Sequence, residues 1–281
     1  MNMDKLAAIV ITYYPHVEET IANIKQFIDG VEHLIIWENT PLEDRSRYTI
    51  SLPEYAHKIS YQSTGKNEGI AYPLNQCIRW AKENDCTGIL SMDQDSFWVN
   101  FQEHLTSVAA YFQNNPPCIA TPNINRHFYS PSNEPKAIHT AIISGALWPI
   151  AVIDKVGSFD ETLFVDAVDE DYSLRINRKG FKILLFPDSV MNQKYGYTYK
   201  SKIPGLASAN YSAARTYYIV KNHIILYRHY KKELTKKEKS YIFRTYTVYR
   251  FIKIILIEND KLKKLSAIIR GVIDGIRQPY E

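Results

Sequence analysis

Two short acidic segments carry the side chains best suited to chemistry. Asp93-Gln94-Asp95-Ser96 follows the apolar run Gly88 to Met92. Carboxylates just past the carboxyl end of a buried strand face the crevice in which open α/β sheets bind ligands. Residues two apart in extended chain project to one side, and hard divalent cations take oxygen ligands shared with substrate phosphates. Asp93 and Asp95 therefore read as a Mg²⁺ or Mn²⁺ site holding a diphosphate; an acidic turn bonding its own backbone is the competing reading. The second segment, Phe164 to Arg175, gathers Asp166, Asp169, Glu170 and Asp171. Mutual repulsion raises a carboxylate pKa towards the range where it takes a proton. Asp169 equally suits the amino-terminal cap of the helix that follows, where acidic groups complement the dipole.

The elements that must position these groups alternate. Leu6 to Thr12 is a β-rich apolar run, and Val17, Ile21, Ile24, Phe27 and Ile28 keep helical spacing up to Gly30, a candidate carboxyl-terminal cap. Strands are predicted at His33 to Trp37, Lys58 to Gln62, Gly88 to Met92, Ile119 to Thr121, Ala141 to Ser144 and Lys182 to Phe186. Helices are predicted at Ile70 to Asn84, Phe101 to Asn114 and Asp169 to Lys179, the last ended by Gly180. This order implies βαβ units and a mostly parallel central sheet. After Pro204-Gly205 the pattern turns helical, with apolar sets at Tyr217, Val220, Ile224 and Tyr227, at Ile242, Tyr246, Tyr249, Ile252 and Leu256, and at Leu262, Leu265, Ile269, Val272 and Ile276.

In chain order the candidate motifs are Thr12-Tyr13-Tyr14-Pro15, Glu38-Asn39-Thr40, Asn67-Glu68-Gly69-Ile70-Ala71, Asp93-Gln94-Asp95-Ser96, Ile143-Ser144-Gly145 and the acidic cluster ending in Leu174-Arg175. The series resembles the family 2 glycosyltransferases of the GT-A fold, and among them the bacterial rhamnosyltransferase group, over roughly residues 6 to 230. The resemblance implies a nucleotide-diphospho-sugar transferase fold with a carboxyl-terminal helical extension. By it, Thr12 and Tyr13 line the base and ribose pocket, with Glu38 where the family usually has Asp. Asn67 and Gly69 lie against the nucleotide, Asp93 faces the nucleotide sugar, and Asp95 holds the metal bridging its phosphates. Asp169 takes the place of the catalytic base and Asp171 that of a secondary acid. Gln193 stands where relatives commonly have His, so an amide oxygen replaces an imidazole in the metal shell, and the neighbouring Lys194 could neutralise phosphate charge. The implied reaction is inverting transfer from a donor such as dTDP-rhamnose or a UDP-sugar to a saccharide or lipid-linked acceptor, in bacterial surface polysaccharide synthesis.

Of 281 residues, 45% are hydrophobic, which excludes a disordered or collagen-like chain. The three cysteines follow no zinc or redox spacing and suit buried thiols in a reducing compartment. No apolar run reaches membrane-spanning length and the amino terminus lacks a leader pattern, so a cytoplasmic location is expected. The net charge of +4 conceals a break: 16 basic against 24 acidic residues through Tyr199, then 18 against 6 from Lys200. A catalytic domain over residues 1–200 and a basic helical extension over 201–281 follow. Eleven of the 21 tyrosines lie between Tyr195 and Tyr249. Interleaved with Lys and Arg, they point to a peripheral place on an anionic membrane at the inner face of the plasma membrane, or to a solvated face of packed helices. No nucleic-acid-binding signature is present. Two other functions fit parts of the pattern: a Mg²⁺ phosphohydrolase with Asp93 as nucleophile, and a catalytically decayed nucleotide-sugar or lipid-binding module. The first requires its Asp-x-Asp on the first core strand.

Overall fold

Every residue of β1 (Leu6–Thr12) is buried. Its unbroken apolar sequence follows from cover on both faces of the strand. The computed structural model describes residues 5–128, 134–194, 199–200 and 207–279. The chain forms two compact units, Met1–Glu161 with Asp169–Lys194, and Thr162–Val168 with Tyr195–Glu281. The boundary expected at residue 200 thus moves to Lys194, and Thr162–Val168 joins the helical unit. Gly196 and the Pro204-Gly205 break lie outside the described residues.

In the first unit β1 has parallel neighbours β2 (His33–Glu38) and β4 (Gly88–Asp93), and β3 (Ile59–Gln62) extends the row beyond β2. The helices α1 (Val17–Ile24) and α2 (Ala71–Glu83) lie in the crossovers of these parallel strands. Past β4 come β5 (Ser96–Trp98), α3 (Phe101–Asn114), β6 (Ile119–Ile124), β7 (Lys136–Ile138), β8 (Leu147–Pro149), α4 (Ile150–Val156), α5 (Val168–Arg178) and β9 (Ile183–Gln193). Here the sheet becomes mixed. β8 is antiparallel to both β4 and β6, while β9 is parallel to β6 and antiparallel to β5 and β7. Leu6, Val10, Ile36, Met92, Trp98, Phe101, Phe112 and Leu184 share one buried apolar cluster. Cys77, Cys86 and Cys118 are free and buried.

Three expectations change. The helix α1 ends at Ile24, and Gly30 lies in a separate 3₁₀ turn where a Cβ would meet the Phe101 ring at 2.8 Å. Its role is to admit that ring, not to cap a helix. Ala141 to Ser144 is not a strand: Gly145 sits at φ +79° and Ala146 N–H returns to the Ile143 carbonyl. The strand begins only at Leu147. Finally, Gln94 and Asp95 form a turn between β4 and β5, so the same-side argument for extended chain does not apply to Asp93 and Asp95.

The second unit holds the antiparallel pair β10 (Tyr199–Lys200) and β11 (Ala207–Ser208) and the helices α6 (Ala213–Tyr230), α7 (Lys236–Phe243), α8 (Tyr249–Leu256) and α9 (Lys261–Arg277). Ser212 caps α6, and Thr235 with Glu238 forms a capping box on α7. A π-helical stretch, Arg244–Val248, joins α7 to α8. α9 lies close on α6 because it presents glycines: Cβ atoms at Gly271 and Gly275 would each come within 2.8 Å of an α6 carbonyl, those of Tyr217 and Lys221. The apolar sets of the last two helices therefore divide differently from a simple core stripe. Lys264, Ala267 and Ile268 face inward on α9, while Leu262, Ile269 and Ile276 are exposed.

Candidate active site

Parallel register brings three strand ends level. Ile11 pairs with Asp93 and Thr12 with Glu38, so Tyr13, Glu38 and Asp93 stand at one carboxyl edge. β9 runs the same way and ends there: its Gln193 pairs with Ser96, next to Asp95. The Gln193 Nε2 donates to Asp93 Oδ2 at 2.9 Å, whereas Gln193 Oε1 is buried without a partner. Burial, and secondarily Glu19, raises the Asp95 carboxyl above its ordinary value. Lys194 pairs with Glu19 and its N–H meets the Asp95 carbonyl at 3.4 Å.

These groups fit a hard divalent cation. All the donors are oxygens, one buried amide oxygen lacks a partner, and a cation would favour the charged form of Asp95 that burial disfavours. Among the described residues no cluster of three His, Cys, Asp or Glu stands ready to hold a metal alone. Such a set suits Mg²⁺ or Mn²⁺, which completes its shell with phosphate and water oxygens.

At the edge expected to receive the nucleotide, the two residues of the Thr12-Tyr13 pair differ in exposure. Thr12 is fully buried; its hydroxyl donates to the Trp37 carbonyl at 3.1 Å and its own carbonyl accepts from Asn39 N–H at 2.8 Å. The Thr12 side chain is thus spent on joining β1 to β2. Tyr13, 47% exposed, is the residue of that pair left at the surface. Glu38 Oε1 accepts from Thr40 N–H at 2.7 Å. Asn67 Oδ1 accepts from Gly69 N–H at 2.9 Å, and Gly69 adopts φ +74°, which only a residue without Cβ reaches freely.

Three residues that shape this edge were not singled out by their sequence. Gln94 clasps the Tyr13 main chain, accepting from its N–H at 2.7 Å and donating to its carbonyl at 3.2 Å. Asn39 accepts from Trp37 Nε1 and Glu68 N–H, both at 3.0 Å, and donates to the Gly69 carbonyl at 2.8 Å. It thereby joins the end of β2 to the Asn67–Gly69 turn. Ser144 accepts from Asp93 N–H at 3.0 Å and donates to Ser96 at 2.7 Å. All three lie inside motifs visible in the sequence, but Gln94, Asn39 and Ser144 reach partners 81, 30 and 51 residues away.

The acidic cluster opens α5. That helix begins at Val168, so Asp169 lies within its first turn and is not its cap. Burial, with the adjacent Glu170 charge and hydrogen bond, holds the Asp169 carboxyl well above the usual carboxylate range. Asp171 is nearly buried and paired with Arg175, whose Nε donates to it at 2.9 Å; the same guanidinium reaches the Ser158 carbonyl at 2.7 Å. Asp171, expected as a secondary acid, is held in this pair, and Arg175 links it to the Ser158 carbonyl. Ser173 Oγ accepts from Ala141 N–H at 3.0 Å. The loop that touches Asp93 through Ser144 thus touches α5 through Ala141.

No family model matches the chain. The dTDP-rhamnosyl transferase RfbF of Shigella flexneri is 28% identical over 292 residues, covering 96% of this chain and 95% of that one. Among solved structures, GalNAc-T7 with UDP, GalNAc and Mn²⁺ superposes with a TM-score of 0.63 at 11% identity, over 99% of this chain and 56% of that chain. S. aureus TarS gives 0.57 at 13% identity, over 97% and 49%. Its 1–349 fragment in complex with UDP-GlcNAc gives 0.54 at 12% identity, over 95% and 81%. The chain spans about half the length of the first two structural neighbours. The fold is therefore that of the GT-A proteins, a mixed α/β sheet followed by helices. Over nearly its whole length the chain is similar in sequence to the Shigella dTDP-rhamnosyl transferase.

Proposed function

We propose that the chain is an inverting glycosyltransferase that moves a sugar, with rhamnose favoured, from a nucleoside diphosphate donor to a hydroxyl of a saccharide or lipid-linked saccharide. Bacterial surface polysaccharide synthesis is the setting. The observation that carries this reading is the shared carboxyl edge of β1, β2, β4 and β9, where Gln193 bonds Asp93 and pairs with the residue after Asp95, its amide oxygen left without a partner. The full-length relation to a dTDP-rhamnosyl transferase supports dTDP-rhamnose as donor; a UDP-sugar is the alternative.

In this reading Tyr13, Glu38, Asn67 and Gly69 receive the nucleoside and Asp93 faces the donor sugar. Asp95, Asp93 and Gln193 would hold Mg²⁺ or Mn²⁺. When bound, the ion neutralises charge on the departing diphosphate. Asp169 takes the proton from the acceptor hydroxyl as its oxygen attacks the anomeric carbon on the face opposite the leaving group, in a transition state with oxocarbenium character. A raised pKa suits it to that transfer, because a base works best when its pKa approaches the operating pH. Arg175 and Asp171 position its helix. Among the described residues no helix is long and apolar enough to cross a membrane, and a peripheral place at the inner face of the plasma membrane is the proposed location.

The phosphohydrolase alternative loses support from topology, since β4 is the fourth strand in sequence and lies inside the sheet between β1 and β8. The test is a thermal-shift screen of dTDP-rhamnose, UDP-GlcNAc and UDP-galactose with and without Mn²⁺, using the wild type and Asp95→Ala. A ligand that binds the native state raises its melting temperature. One nucleotide sugar should stabilise the wild type in a Mn²⁺-dependent way that Asp95→Ala abolishes. A wild type indifferent to all three donors, or an Asp95→Ala protein with the same Mn²⁺-dependent shift, contradicts the proposal. Donor binding without transfer to any acceptor is the outcome the decayed-module alternative requires.

A further inference from the structure

Large apolar side chains left without cover gather on α8. Tyr249, Phe251, Ile252, Ile255 and Leu256 are exposed, while Arg250 and Ile254 are the buried positions of the same helix. On a helix of 3.6 residues per turn these five share one arc of roughly 160°, opposite Arg250 and Ile254. Tyr241 and Phe243 of α7 add exposures of 61% and 59%. Single exposed apolar residues are ordinary, but a continuous face implies something that covers it.

Charge identifies what that is. From Lys236 to Ile257 the chain carries six cations and one carboxylate, Glu238, whose Oε2 is bound by the Thr235 N–H and hydroxyl. Arg250 is buried against Glu258. Lys236, Lys237 and Arg244 line a shallow cavity of about 510 Å³ together with Tyr241 and Tyr249. A second copy of the chain seated by two-fold symmetry would set these cations against their own kind. An anionic bilayer surface offers apolar depth and negative charge together, with a headgroup layer that suits tyrosine.

We propose that α8, with the end of α7, docks on an anionic lipid surface, Phe251, Ile252 and Ile255 entering below the headgroups and Lys236, Lys237 and Arg244 lying among them. The inference rests on the helical unit alone and not on the transfer reading. Its test needs no donor, so failure here leaves the proposed reaction standing. The full chain is sedimented with vesicles of equal parts phosphatidylglycerol and phosphatidylcholine, and with pure phosphatidylcholine vesicles. Binding should be confined to the anionic vesicles and weaken with salt. Phe251→Ser with Ile255→Ser should weaken it at least about tenfold at unchanged melting temperature, because both side chains are exposed. Lys236→Gln, Lys237→Gln and Arg244→Gln together should weaken it and flatten the salt dependence. Binding to neither vesicle, equal binding to both, or variants that bind like the wild type overturns the proposal. So does a concentration-dependent dimer, seen by light scattering, that the Phe251→Ser and Ile255→Ser substitutions abolish, since a second copy then covers the face.

Discussion

The strand-end edge of the sheet unit and the centre of the helical unit manage buried polarity differently. In the sheet unit, neutral amides and hydroxyls frame the carboxylates: Gln94 holds Tyr13, Asn39 holds Gly69, and Ser144 holds the Asp93 main chain. In the helical unit full charges are buried against one another, Glu258 accepting from Arg250 at 2.8 Å and from Lys264 at 2.9 Å. A site that takes up a cation and a diphosphate is best framed by neutral groups, because fixed counter-charges would compete with the ligand for the same carboxylates. Charges neutralised internally, as around Glu258, carry the risk that losing one partner strands the others.

The sharpest break of the comparison is Asp169→Asn. It keeps the shape and removes the proposed base, so transfer should fall about 10²–10⁴-fold while donor affinity changes only a few fold. In the wild type the acid limb of the kcat/KM profile should lie at higher pH than an ordinary aspartate gives, because the protonated base is inactive and its pKa is raised. A fully active Asn variant removes Asp169 from the mechanism. In the other unit, Glu258→Gln leaves Arg250 and Lys264 buried without their shared anion. It should destabilise the helical unit by about 3–5 kcal/mol in denaturant unfolding, and a cost under about 1 kcal/mol would show the trio to be solvated.

A third effect is smaller and depends on pH. Burial pushes His104 down to about 3, where it stacks on Trp98 and meets Ser189. The unfolded chain binds a proton near pH 6.5 that the folded one refuses, so this contribution is whole above that pH and drains as pH falls towards about 3. Stability should drop by about 2 kcal/mol between pH 7 and pH 5, at up to ~1.4 kcal/mol per pH unit. His104→Gln should flatten that slope in urea unfolding, and an unaltered slope assigns the loss to other groups. The smallest effect tests the neutral frame. Gln94→Ala removes two hydrogen bonds to Tyr13, each worth about 1 kcal/mol, and should raise donor KM about five- to tenfold with kcat changed less. Equal losses in kcat and kcat/KM would place Gln94 with the reacting atoms instead.

Much of the scaffold was legible because local pattern dictates it. The run Leu6 to Thr12 became β1 and Phe101 to Asn114 became α3, since apolar periodicity and breakers act over a few residues. Ala141 to Ser144 misled because a short apolar run reads as strand until the positive φ of Gly145 is known. In the site, Asp93, Asp95 and Asp169 were visible as acids at strand or helix ends. The burial of Thr12, the pairing of Asp171 with Arg175 and the clasp of Gln94 were not, because each depends on packing or on a side-chain rotamer.

By itself the sequence determined the alternation of strands and helices, the acidic motifs at their ends, and the reversal of charge near residue 200. These follow from residue type and short spacing, which act within one element. Tertiary structure alone decided which strand ends are level, that Gln193 meets Asp93 across 100 residues of chain, and that the apolar arc of α8 faces outward while Arg250 turns in. The reason is physical: register and packing are set by the whole sheet and by glycines that let α9 approach α6, so no single segment encodes them.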